Sequence, residues 1–427
     1  MTGDIFLKPK EARRIHVMEQ VVAGKLTSCE AAELLGLSLR QVFRLKARFT
    51  REGLAALVHK NRGRPPKHAV PLAVKDLVSM LATSDYRGAS LVQMAELLLK
   101  NNSLSLSPKT IGRIIKQAGI SNPHSHRSAR KRRTRTRKSQ EGMMAQCDAS
   151  PFAWFEKRGP ASYLHGAIDD ATSKVLGLFF RPSEDTLGYL NMLHQMVTNF
   201  GVPQSLYSDR HTIFFSPKAD RLSIEEQLQG LKAPLTRFGK VLEELGINQI
   251  KARSPQAKGR IERLWGTLQS RLMVELRLAE ISSIESANEF LPGFIGRYNS
   301  QFSVEAADPI SAFIKRPVDK STNNIICLKD ERRADRGSAI SFHGKQYQLL
   351  DTCSKTALLR FQAKVAILTH LDGSISALYE RKTYSLKEIP KPAKSSIEMT
   401  KPIVAGSILK IRRPHKPGPN HPWNNGY

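Results

Sequence analysis

The sequence predicts a multidomain chain, with N-terminal all-α helix-turn-helix domains, a central α/β layer and a small C-terminal β-barrel. Three observations predict it. Up to residue 120 the apolar residues recur at helical spacing, in short runs parted by glycines and capping residues. From Gly142 onward, short apolar strands and helical stripes follow in the order β-β-β-α-β-α-β-α. Beyond residue 335, alternating segments flank His343-Gly344 and Asp372-Gly373, a strong hairpin signal. At 427 residues the chain is also too long for one ordinary domain.

Charge narrows the partners. Lys and Arg number 67 against 38 acids, a formal net charge of +29. Such an excess repels itself unless a polyanion neutralises it, so nucleic acid is the first partner to consider. No apolar run approaches 20 residues, so no membrane span is expected. The start MTGDIFLKPKEARR lacks the apolar core of a signal peptide. The cysteines Cys29, Cys147, Cys327 and Cys353 are scattered, without a CxxC pair or a disulfide framework, which suits a reducing compartment.

Residues 1–60 read as a helix-turn-helix DNA-binding domain. A first helix from Pro9 stops at Gly24. Thr27 or Ser28 caps a second, ended by Gly36, and Ser38 caps a third. In the third, Leu39, Val42, Leu45 and Phe49 are expected to face inward. Arg40, Gln41, Arg44 and Arg48 are left outward, with the chemistry that reads guanine and adenine edges and phosphates. Residues 61–70 hold Asn61-Arg62-Gly63-Arg64-Pro65. Arg62 and Arg64 in this extended frame resemble an AT-hook, whose glycine lets both arginines enter a narrow minor groove; a plain basic linker fits the same residues. Residues 71–120 read as a second helical DNA-binding domain. Leu72 to Ala82 is one helix, Ser90 caps another with Val92, Leu97 and Leu98, and Ser107-Pro108 opens a third. There Ile111, Ile114 and Ile115 point inward and Lys109, Arg113 and Lys116 outward. Residues 121–140 form a linker of six arginines, two lysines and no acid. Arg130, Lys131, Arg132, Arg133, Arg135 and Arg137 are expected to meet phosphates without regard to sequence.

Residues 141–315 carry the candidate chemistry. Met143 to Ala149 reads as a strand bearing Asp148, Ser162 to Ile168 and Lys174 to Phe180 as the next two. A helix from Thr186 to Phe200 leads to the strand Ser205 to Tyr207, which ends at Asp209. Residues 215–235 look like an insertion with a short helix at Ser223 to Leu228. A helix at Thr236 to Leu245 and a strand at Asn248 to Ala252 lead to the helix Lys258 to Leu278. Its buried stripe is Ile261, Leu264, Trp265, Leu268 and Leu272, and Glu262 lies beside that stripe on the first turn. Three acids from three elements, converging, make a site for hard divalent cations. Lys258, Arg260 and Arg263 at the head of this helix are expected to face DNA. A further helix spans Ser283 to Tyr298. The small β-barrel is placed at 335–389, and 390–427 is a Pro- and Lys-rich basic tail.

The element order, with Asp148, Asp209 and Glu262, resembles the DDE transposases of the retroviral integrase superfamily, which have a ribonuclease H-like fold. YSDRHTIF and RSPQAKGRIERLWGTLQ are similar to the segments carrying that family's second Asp and its Glu. The helix-turn-helix front and the HPW of the tail resemble bacterial insertion-sequence transposases of the ISNCY group. The resemblance implies an integrase catalytic core holding two Mg²⁺ ions, with Mn²⁺ able to substitute. It implies that Asp148 bridges both ions while Asp209 and Glu262 hold one each. Water first frees a 3′-OH at the element's end, and that 3′-OH then attacks target DNA by direct transesterification. It further implies double-stranded DNA as partner, a homo-oligomer on paired ends, and a cytoplasmic, nucleoid-associated place in a bacterium. Two features depart from the family pattern. The interval between Asp209 and Glu262 is lengthened by the insertion, and Gln269 stands where many relatives carry a basic residue.

Blander readings apply to each acid singly. A strand-end Asp often caps a turn, and a first-turn Glu often serves the helix dipole. Asp169 and Asp170 could pair, but DDATSK is a hairpin turn in which capping is expected. Cys147 should point to the opposite face from Asp148, into a core. His124 and His126 have no CxxC partner to build a zinc site. His211 lies near enough to Asp209 to touch a phosphate. The competing function class is a non-enzymatic, sequence-specific DNA-binding regulator, or an inactive transposase remnant. A ribonuclease H-type nuclease would need no sequence-reading front.

Overall fold

The computed structural model describes residues 9–57, 69–121, 135–217, 233–252, 258–315, 320–351 and 353–390. Arg62, Arg64, Arg130, Lys131, Arg132 and Arg133 lie outside them, as do the helix expected at Ser223 to Leu228 and the tail from 391 on. The chain divides into two compact units, one holding the N-terminal helices and the other the rest.

In the first unit, α1 (Pro9–Val22), α2 (Ser28–Leu35) and α3 (Leu39–Glu52) close around Ile15, Met18, Val21, Ala31 and Val42. Thr27 and Ser38 cap α2 and α3 through capping boxes with Glu30 and Gln41. Gly36 ends α2 in the left-handed region, at φ 61°, where a β-carbon would be strained. Leu45 and Phe49 pack on this core as expected, but Leu39 does not: at the first position of α3 it remains 44% exposed. Next come α4 (Leu72–Thr83), α5 (Leu91–Asn102) and α6 (Pro108–Gln117). Leu97, Leu98, Ile111, Ile114 and Ile115 are buried, whereas Val92 is exposed and Gln93 and Met94 take the inward positions of that turn.

In the second unit, β1 (Ala145–Phe152), β2 (Ser162–Asp169), β3 (Val175–Arg181), β4 (Ser205–Ser208) and β5 (Asn248–Lys251) form a sheet in the order β3-β2-β1-β4-β5. The first three strands are antiparallel; β4 and β5 join β1 in parallel. β1 runs three residues past its expected end, through Pro151. Beyond Gln146 it pairs with β2 alone, and an edge tolerates a residue without an N–H.

Helices cover both faces of this sheet. On one, α7 (Thr186–Asn199) and α8 (Arg237–Leu245) pack Leu190, Leu193, Met196, Phe238 and Leu242 against Ala145, Cys147 and Leu206. On the other, α9 (Gly259–Leu278) and α10 (Ile284–Phe302) pack Ile261, Leu264, Leu268, Leu272 and Phe294 against Leu164, Leu178 and Phe180. The five residues of the expected α9 stripe are all buried.

After α11 (Lys320–Ile325), β6 (Leu328–Arg333), β7 (Ala339–Phe342), β8 (Lys345–Leu350), β9 (Lys364–Thr369), β10 (Ile375–Tyr379) and β11 (Lys382–Ile389) form a second sheet, β6-β9-β10-β11-β8-β7. Both expected hairpins are present. The sheet has two more strands than those hairpins supply, β6 and β11, and it begins before residue 335. Cys29, Cys147, Cys327 and Cys353 are free thiols. Among the described residues, no helix is long and apolar enough to cross a membrane.

His165 fixes the start of α7. Its Nε2 accepts from the Asp185 N–H at 3.3 Å, so Nδ1 carries the proton towards the Phe179 carbonyl, also at 3.3 Å. Gly188 sits where a β-carbon would come 2.4 Å from the ring. Burial pushes the imidazole down to about 4. An unfolded histidine titrates near 6.5, so between these values the unfolded chain binds the extra proton. Stability from this group is complete above about pH 6.5 and is lost as pH falls towards 4, by about 3 kcal/mol. Urea unfolding at pH 7 and pH 4.5 should show that loss, and His165→Gln should have a flatter profile over the same window.

Candidate active site and nucleic-acid interface

The site follows from the two-residue period of β1. Ala145 and Cys147 point into the α7–α8 core, so Gln146, Asp148 and Ser150 point to α9. Each meets a partner there. Gln146 Oε1 accepts from the Ile261 N–H at 3.4 Å, Asp148 meets Lys258 and Trp265, and the Ser150 hydroxyl accepts from Gln269 at 3.2 Å. Cys147 is fully buried, and burial raises its thiol well above the ordinary range, so it is core.

β4 brings the second acid. Its parallel register sets Ala145 beside Leu206 and Gln146 beside Tyr207. Continuing two residues places Asp209, just past the end of β4, level with Asp148. Lys258 joins the two: its Nζ lies 3.1 Å from Asp148 Oδ1 and 3.4 Å from Asp209 Oδ2. The lysine side chain is 8% exposed, against 23% for Asp148 and 43% for Asp209. Burial disfavours its charge, but Asp148 and then Asp209 outweigh burial and raise its pKa. The indole N–H of Trp265 reaches Asp148 Oδ2 at 3.4 Å, so both oxygens of Asp148 are engaged. Asp209 Oδ1 accepts from the His211 N–H at 3.0 Å, and His211 itself is exposed.

Glu262 stands apart. It is exposed on the first turn of α9, and among the described residues no three His, Cys, Asp or Glu side chains are gathered closely enough to hold a metal ion. The expected three-acid convergence is thus reached by two acids. Glu262 nevertheless lies four residues after Lys258 and three before Trp265, the spacings that share one helical face, and both neighbours touch Asp148. Glu244 on α8 is paired with Lys329 of β6.

The residue chemistry suits hard divalent cations. Two carboxylates converge on one point where a cationic group already sits, and oxygen donors are what Mg²⁺ and Mn²⁺ take.

Several basic residues are placed otherwise than expected. Lys258 is buried between the acids rather than turned outward. Arg260 is also buried: its Nε donates to the Asp170 backbone carbonyl at 2.7 Å and lies 2.8 Å from its carboxylate. Arg135 pairs with the same carboxylate, and Arg137 donates to Ala171 O at 2.8 Å and to Ser173 Oγ at 2.9 Å. These links are available because the turn after β2 places the Asp170 carboxylate, wholly shielded from solvent, beside them. Asp169 caps that turn, accepting from the backbone and hydroxyl of Thr172 at 2.7 Å. Arg271 lies over the Phe302 ring at 4.8 Å, whereas Arg263 is exposed. On α6, Lys109, Arg113 and Lys116 are exposed along one face. On α3, Arg40 and Arg44 are exposed and Arg48 is half-buried, 3.9 Å from Glu52. Gln41 accepts from the Ser38 N–H at 3.2 Å, so its side chain serves the cap. Sequence reading took Trp265 for core alone; counting back seven residues to Lys258 would have put both on the Asp148 face.

A helical front with an exposed basic helix and an α/β sheet that presents paired acids on two neighbouring strands have the parts of a protein that acts on nucleic acid. A family model described as winged helix-turn helix matches residues 14–74, past the boundary expected at residue 60. The transposase for insertion sequence IS1202 of Streptococcus pneumoniae is 31% identical, over 97% of this chain and 93% of that one. The y4bF protein of Sinorhizobium fredii, named for a transposase, is 34% identical over 81% of this chain and 74% of its own. A looser likeness is to the catalytic core domain of BIV integrase, at 18% identity and a TM-score of 0.23, over 35% of this chain and 79% of that one. The chain belongs to the insertion-sequence transposases.

Arg44 is the test of base reading on α3. Arg44→Ala should weaken binding to specific DNA by about 1–3 kcal/mol more than binding to random DNA, if the guanidinium makes a bidentate base contact. Equal losses in a binding titration would reassign Arg44 to phosphate.

Proposed function

We propose that this chain binds the ends of its DNA element, cleaves them to free 3′-OH groups, and joins those to target DNA by metal-dependent transesterification on a ribonuclease H-like core. The observation that carries this reading is the convergence of Asp148 and Asp209, from neighbouring parallel strands, on one cationic point. In this reading Asp148, Asp209 and Glu262 are the catalytic acids, and they are the residues that would hold divalent cations. Divalent ions held there would supply activation of the attacking oxygen and stabilisation of the leaving one.

The chain's own residues set the geometry. Gln146, Ser150 and Trp265 fix β1 against α9, so that Asp148 faces the helix bearing Glu262. In cleavage, water oxygen bonds to phosphorus, the 3′ oxygen leaves, and the proton lost by one is matched by that gained by the other. In joining, the freed 3′ oxygen bonds to a target phosphorus and a target 3′ oxygen leaves. One phosphodiester forms for each broken, so no external energy source is needed. Arg40 and Arg44 on α3, and Lys109, Arg113 and Lys116 on α6, supply exposed cations for duplex binding. Arg263 is the exposed cation on the first turn of α9.

Asp148→Asn, Asp209→Asn and Glu262→Gln should each abolish cleavage and joining of a labelled element end. A gel shift on the same DNA should stay nearly unchanged, because the reading helices lie in the other unit. Normal cleavage by Glu262→Gln would remove it from the triad, and normal cleavage by all three would leave a DNA-binding protein only.

Two element ends must be held together before joining, and one site processes one strand end at a time. Light scattering on end-containing DNA should therefore give at least a dimer. A monomeric, fully active complex would refute this.

A further inference from the structure

We infer that Lys258 is a resident counter-ion of the metal site, holding Asp148 and Asp209 together before divalent cations bind and competing with them for the same carboxylates. The inference rests on the proposed function in taking those aspartates as ligands. Three observations carry it. The ammonium lies within 3.4 Å of an oxygen of each acid, one on each of two neighbouring strands. It is nearly shielded from solvent, where a charge interacts more strongly than it would in water. Its backbone is the N-cap of α9, four residues before Glu262, so the same helix presents the internal cation and the third acid.

Two carboxylates so close repel each other, and a single internal positive charge offsets that repulsion without any ion. A divalent cation must displace the ammonium from both oxygens to use them. The energy of breaking the lysine contacts is therefore subtracted from metal affinity. Once displaced, the ammonium is an unpaired cation beside the site, and a DNA phosphate is the anion able to replace its lost partners. Lys258 thus acts through the ligands as a positioning residue. A purely structural lysine makes the opposite prediction: its loss would disorder the acids and weaken metal binding.

The experiment is calorimetric titration of Mn²⁺ into the full chain without DNA, with thermal unfolding in chelator as a check on folding. Lys258→Met keeps the length and apolar stem of the side chain and removes the charge. It should bind Mn²⁺ about tenfold more tightly than the wild type. Its unfolding temperature in chelator should be lower, and should gain more from added Mn²⁺ than the wild type does. Lys258→Arg, which keeps a cation, should stay near the wild-type affinity, and Lys258→Gln provides a second neutral variant should the methionine fold poorly. Unchanged or weaker Mn²⁺ binding in the neutral variants, with wild-type binding still dependent on the aspartates, would overturn the counter-ion role and leave the proposed function standing. Mn²⁺ binding that survives intact in the Asp148→Asn, Asp209→Asn double variant would overturn both.

Discussion

The second unit is organised around the buried carboxylate of Asp170. It is fully shielded from solvent and takes hydrogen bonds from the Lys138 N–H and from Gln146 Nε2, each at 2.9 Å, besides its pairs with Arg135 and Arg260. These donors come from the segment before β1, from β1 itself and from the first turn of α9. A buried charge is tolerated only when paired and hydrogen-bonded, and removing a partner from such a pair costs about 3–5 kcal/mol. The geometry that satisfies Asp170 therefore also sets how α9 enters along β1. Arg260 lies between Lys258 and Glu262 in sequence, so anchoring it fixes both of its neighbours relative to Asp148.

From that anchor the two-residue period of β1 and the helical period of α9 do the rest. Alternate residues of β1 go to opposite faces, which sends Cys147 into one core and Asp148 towards the other. On α9, Arg260 faces the Asp170 turn and Lys258, Trp265 and Gln269 face β1. Gln269 is instructive. Where many relatives of the resembled family carry a cation, this chain has an amide that reaches the Ser150 hydroxyl, so the position serves packing of helix on strand.

Much of this was legible in sequence because it rests on periodicity. The α9 stripe, the alternation around Cys147 and the caps at Thr27, Ser38 and Ser107 are local signals, and local physics decides them. What escaped depends on partners distant in sequence. Nothing in AKGRIER says that Lys258 and Arg260 are buried, because the anions that admit them, Asp148, Asp209 and Asp170, lie far away along the chain. A lysine reads as exposed until its counter-charge is known. The strands β6, LKDERR, and β11, KTYSLKEI, were missed for a related reason. Their charged residues disguise the alternation, and they are strands because β9, and for β11 both β10 and β8, supply the ladder bonds. Gln41 carries a second role that its type also allows, since an amide suited to adenine is equally suited to a helix cap three residues after a serine.

The exposed Glu262 follows from the same electrostatics. Asp148 and Asp209 carry two negative charges against the one positive charge of Lys258, so the pair is already over-supplied with anions. Two like unit charges 4 Å apart repel by about 4 kcal/mol at the effective dielectric of a protein surface, a cost that a third carboxylate drawn in would add to. Glu262 is better solvated where it is, on the shared helical face but at its rim. Two acids gathered about one internal cation, with Glu262 left in solvent, is therefore the arrangement that these charges favour.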